Sequence, residues 1–131
     1  MTKNDWLDLT VMERKKYNLL SEVMDLSQQL SEAMDRNDDV SVRLLLAMRQ
    51  EPILKLEEVR RAVDLKREAL SPEDLERVAA LNGPAAPKSE EETNYRTQAG
   101  NVHRLLKRVL ELDERLNRRM GGKDSFYTKE R

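Results

Sequence analysis

Residues 9–33, LTVMERKKYNLLSEVMDLSQQLSEA, place Leu9, Met12, Lys16, Leu19, Val23, Leu26, Leu30 and Ala33 at alternating spacings of four and three. Seven of these eight side chains are apolar, so the stretch reads as the seam of a coiled coil. Leu20, Met24 and Met34 lie beside the seam and widen the stripe. A stripe of that width suits a helix that touches two neighbours.

Working outward, the helix is expected over residues 4–36, ending at Asn37-Asp38-Asp39, whose short polar side chains compete for nearby backbone groups. A second helical pattern covers 40–70, with Leu45, Met48, Leu56, Val59, Val63 and Leu70 in phase. Pro52 interrupts it and removes one backbone donor, so a kink in a continuous helix is expected there. Ser71-Pro72-Glu73-Asp74 then supplies a cap, a proline suited to the first turn and an acidic residue three after the cap, which starts a short helix over 72–81. Asn82-Gly83 stops it.

Residues 82–89 are rich in Pro and Ala and read as a mobile linker that carries the chain back along the bundle. The last long helix is expected over 90–120, opened by Glu90, Glu91 and Glu92 where the helix dipole favours negative charge. Its seam is Tyr95, Gln98, Val102, Leu105, Val109, Leu112, Leu116 and Arg119, and Gly121-Gly122 ends it. The tail, 121–131, is read as disordered. Each long segment spans roughly 45–50 Å at 1.5 Å per residue, so side-by-side packing follows. The fold class is therefore all-α: an elongated antiparallel three-helix bundle with a kinked second helix and a short extra helix before the third.

Composition agrees and excludes much else. The chain has 131 residues, 37% of them charged and 4% aromatic, with no cysteine and one histidine. Disulfide frameworks, thiolate metal sites and multi-histidine centres are thereby removed, and no cofactor or metal is expected. His103 lacks a Glu three residues before it, Gly100 standing there, so the Glu-x-x-His unit of helical di-iron bundles is absent. Gly121-Gly122-Lys123 lacks the upstream Gly and the following Ser or Thr of a phosphate loop. No apolar stretch approaches the length that spans a bilayer, and MTKNDWLDLT is not a secretory signal, so a cytoplasmic protein is expected.

The net charge of -1 conceals a gradient, because residues 101–131 carry nine basic against five acidic side chains. Arg104, Lys107, Arg108, Arg115, Arg118 and Arg119 make the last helix basic. Glu111, Asp113 and Glu114 interrupt that stripe, and no aromatic residue is interleaved for base stacking. Neither nucleic acid nor a membrane is expected as a partner. One enzyme reading has a residue basis: Leu44-Leu45-Leu46-Ala47-Met48-Arg49 is similar to the leucine run and Arg of helical chorismate mutases. That family's Ile-Asp repeat is missing and Pro52 falls inside the helix, so the chain is expected not to be an enzyme.

The residues also resemble the small helical flagellar export chaperones of the FlgN and FliT type. The first helix runs through Leu30-Ser31-Glu32-Ala33-Met34-Asp35-Arg36 into an acidic turn, and Asp38 stands eleven residues before Arg49. The final helix, residues 105–116, LLKRVLELDERL, looks like that family's C-terminal helix. Asp39 after the turn acid and Pro52 depart from the family's pattern. The resemblance implies a non-catalytic role in type III secretion: binding the C-terminal helical segment of a late flagellar substrate, a hook-associated or filament-cap protein, in a helix-in-groove mode and delivering it to the export apparatus. Export-gate or ATPase-complex components would be further partners. Val102, Leu105, Leu106, Val109, Leu112 and Leu116 are the candidate contact face, and the alternative for the same face is that it completes the bundle core. A self-associating structural coiled coil, with a homodimer among its states, is the competing function.

Overall fold

The computed structural model describes residues 1–121, and the remainder of the predicted tail lies outside the described residues. Among the described residues four helices follow one another: α1 Lys3–Asp35, α2 Asp39–Glu68, α3 Pro72–Leu81 and α4 Glu90–Arg119. Local chemistry sets each boundary. α1 starts earlier than the periodicity predicts because Thr2 closes a capping box: its Oγ1 accepts from the Asp5 N–H at 3.1 Å while its own N–H donates to Asp5 Oδ2 at 3.0 Å.

At the other end Asn37 adopts a left-handed conformation, φ 55°. The Asn37 and Asp38 N–H groups turn back to the carbonyls of Met34 and Ala33 at 3.0 and 2.9 Å. This double closure satisfies carbonyls that the helix end would orphan. Asp38 then caps α2 by accepting from the Ser41 N–H at 3.1 Å, so one short turn both ends α1 and starts α2. Ser71 and Ser89 cap α3 and α4 in the same way. α2 runs without interruption through Pro52, which is fully buried.

The long helices pack up-down-up around α1. Lys66 near the end of α2 reaches Asp5 and Asp8 near the start of α1 at 2.8 and 3.2 Å, so α2 is antiparallel to α1. α4 climbs in the same direction as α1. Tyr95 packs on Trp6 with the rings tilted at 51° and their centroids 5.4 Å apart; Val102, Leu105 and Val109 meet Leu20 and Val23; Leu112 and Leu116 meet Leu26, Leu30 and Ala33. α1 is thus the central element, in extensive contact with both α2 and α4, whereas α2 and α4 approach each other far less.

Residues 82–89 do not carry the chain back along the bundle. α2 has already returned it, and α3 docks at the same end, its Val78 and Leu81 packed with Trp6, Leu9 and Tyr95. The connection only has to turn. It is held against its neighbours by Arg77 and Arg96, which donate to the carbonyls of Ala86 and Ala85 at 2.9 and 2.8 Å, and by the Lys88 N–H, which donates to Glu92 at 3.0 Å.

Several seam positions also differ from the sequence reading. Met12 and Leu19 are half-buried, while Leu20 and Ser27 are buried, because α1 uses both flanks of its stripe to meet two helices. Met48 is exposed and Arg49 takes the inward position, since α2 turns Leu45, Arg49, Pro52 and Val63 toward the bundle. On α4, Arg119 lies at the surface, bound to Asp35 at 2.8 Å.

Candidate partner-binding surface

Five of the six residues of the candidate contact face are in the bundle core. Val102, Leu105, Val109, Leu112 and Leu116 are buried against α1, as the alternative reading of that face expects. Leu106 stands apart. It is 39% exposed, and Leu110, one turn on, is 46% exposed. Leu106, Leu110 and Asp113 occupy i, i+4 and i+7 positions and therefore share one side of α4.

That side faces α2 through a buried ion pair. The Arg49 guanidinium donates to Asp113 Oδ1, and both side chains are almost wholly removed from water. Burial pushes the Asp113 carboxyl upward and the adjacent Arg49 pulls it back down. Satisfaction is incomplete: Arg49 Nε and the nearby α4 side-chain atom Asn117 Oδ1 are buried without partners among the described residues. Sequence reasoning missed this pair. A signal existed, because Arg49 falls in the inward phase set by Leu45, Leu56 and Val63, and an arginine there demands an acceptor. Arg49 is thus paired with Asp113.

Beside this tie, half-buried Ile53 and Leu56 of α2 pack against the cluster that contains Val102, Leu105 and Val109. Leu106 and Leu110 leave apolar surface exposed on the side of α4 that carries Asp113. A second apolar line, Val40, Leu44 and Met48 at i, i+4 and i+8, stands exposed at the start of α2. Among the described residues no three His, Cys, Asp or Glu side chains group as a metal site, and no helix is long and apolar enough to cross a membrane.

At the opposite end, the Arg77–Glu92 pair fastens α3 to α4. The Arg77 guanidinium, followed by the Lys88 N–H, holds the Glu92 carboxyl below its ordinary 4.5 despite partial burial. Asp5 is likewise lowered to about 2, chiefly by its hydrogen bond from Lys66. A carboxyl whose folded value lies below its unfolded value contributes stability that is complete above the unfolded value and lost as pH falls through the folded one. Glu92→Gln is accordingly expected to lower the thermal midpoint at pH 7, with the deficit shrinking toward pH 3. Circular dichroism melts of both proteins at the two pH values check this, and a deficit that widens in acid contradicts it.

Compared with protein-family models, with curated proteins and with solved structures, the chain matches none of them.

Proposed function

We propose that this chain is a non-catalytic chaperone of the flagellar export type, which holds the C-terminal helical segment of a late flagellar substrate and passes it to the export apparatus. The observation that carries the reading is the apolar pair Leu106 and Leu110, left 39% and 46% exposed on the side of α4 that carries Asp113. The pair presents the i, i+4 apolar spacing that an amphipathic helix matches, and half-buried Ile53 and Leu56 of α2 add apolar surface for such a helix. The client class comes from the resemblance of residues 30–38 and 105–116 to the chaperone family. A cytoplasmic location and contacts with export components belong to the same proposal.

Affinity capture from flagellated cells, with mass spectrometry of the retained protein, tests it. A hook-associated or filament-cap protein held one-to-one through its C-terminal helix is the expected result. The exposed line Val40, Leu44 and Met48 favours a second reading, self-association through α2. Sedimentation separates the two: tight oligomers that retain no flagellar protein would set the chaperone reading aside.

A further inference from the structure

A cavity of about 690 Å³ opens beyond the C-terminal end of α3, within the roughly 300–1,000 Å³ range of small-molecule sites. Three sequence features leave this space. α3 stops at Asn82-Gly83, α4 carries Gly100, which lets the Arg104 guanidinium lie close over the helix, and α1 places Glu13 and Lys16 where neighbouring turns are apolar. The floor is hydrocarbon, made by Leu81, Ala99 and Val102, with Leu106 at one edge.

The charged part is unbalanced. Lys16, Arg96 and Arg104 line the cavity against one carboxylate, Glu13, and that carboxylate is occupied by Lys16 at 3.3 Å. Arg96 and Arg104 form no salt bridge among the described residues. Their hydrogen bonds go to neutral acceptors, the Ala85 carbonyl at 2.8 Å and Asn101 Oδ1 at 2.7 Å, and each guanidinium keeps further N–H donors for a ligand. Positive charge above a hydrocarbon floor selects an anion with an apolar body, because neither a bare anion nor a neutral hydrocarbon satisfies both parts.

We propose that the cavity between the α3 terminus and the Gly100 turn of α4 binds a small amphiphilic monoanion, its carboxylate or equivalent headgroup taken by Arg96 and Arg104 and its apolar body laid on Leu81, Ala99 and Val102. This site shares Leu106 with the proposed client surface, and its test uses residues outside that surface. Sodium octanoate is the probe, with octanol as the neutral control, titrated into the full chain and followed by the amide NMR signals of Gly83, Gly100 and His103.

Octanoate is expected to shift these signals saturably with one-to-one stoichiometry, and octanol to bind at least about tenfold more weakly. Arg96→Gln with Arg104→Gln should weaken octanoate by a similar factor. Gly100→Leu displaces the Arg104 guanidinium: its Cβ would meet that group at 3.4 Å, the movable end of a flexible side chain, so the helix accepts it and octanoate affinity is lost. Replacing a mid-helix glycine also favours the helix, so the thermal midpoint should hold or rise. The proposal is overturned by absence of a saturable shift, by equal binding of octanol, or by unchanged affinity in the doubly substituted protein. Full octanoate affinity in a folded Gly100→Leu chain would overturn it as well.

Discussion

Arg49→Met is expected to destabilise the bundle by about 3–5 kcal/mol, the usual cost of removing one partner of a buried ion pair. The substitution keeps the volume of the stem but strands the Asp113 carboxylate between α4 and α2, where burial already pushes it upward. Replacing both partners, Arg49→Met with Asp113→Leu, should recover most of that loss or exceed the wild type. Among the described residues Arg49 Nε lacks a hydrogen-bond partner even in the intact pair, so the apolar replacement removes an existing penalty as well. The sign of the pH dependence is also fixed. A stranded carboxyl has a folded value above its unfolded one, so the Arg49→Met chain is relatively more stable near pH 4 and loses ground as pH rises toward 7. Urea unfolding of the single and double variants at both pH values measures this. A single variant within about 0.5 kcal/mol of wild type, in the range of ordinary surface substitutions, would show that the pair is not buried as described.

The second large effect contrasts two pairs of leucine-type residues on α4. Leu105→Asp with Val109→Asp places two carboxylates in the cluster formed with Leu20 and Val23, and global unfolding is the expected outcome. From the sequence alone, these two positions serve equally well as a client face whose loss would leave much of the helicity in place. Their burial at 7% and 4% decides against that outcome. Leu106→Asp with Leu110→Asp touches only exposed side chains, so the far-ultraviolet spectrum and melting point should stay near wild type while client capture falls by at least about tenfold. Retained capture in that folded variant would place the client elsewhere on the surface.

The difference between these pairs shows where sequence reading reaches its limit. Leu105, Leu106, Val109 and Leu110 are consecutive apolar positions on one broad stripe, and periodicity identifies the stripe without saying how much of it a neighbour covers. Coverage depends on the angular position of α1 and α2 around α4. The same applies to Met48 and Arg49: hydropathy favours Met48 as the inward residue, and the tertiary position of Asp113 gives the inward place to Arg49 instead. The short helix was legible because Ser71-Pro72 and Asn82-Gly83 are local signals read within a few residues. The apolar pattern places the start of α1 at residue 4, and the capping pair Thr2 and Asp5, a local signal that the pattern does not contain, sets it at Lys3.

The sequence by itself determined that this protein is all-helical, where its helices begin and end to within a residue or two, and that three of them are long enough to lie side by side. Those properties follow from backbone capping and from the 3.6-residue period, which act over a few residues. Only the tertiary structure decided that α4 runs parallel to α1, that residues 82–89 fold over one end, that an arginine and an aspartate share the interior, and that a lined cavity remains beside Gly100. Each of these is set by contacts between residues far apart in the chain, some of them more than sixty positions, as with Arg49 and Asp113. No local period encodes such contacts. They are selected jointly, by which packing buries the most apolar surface while leaving the fewest polar groups without partners.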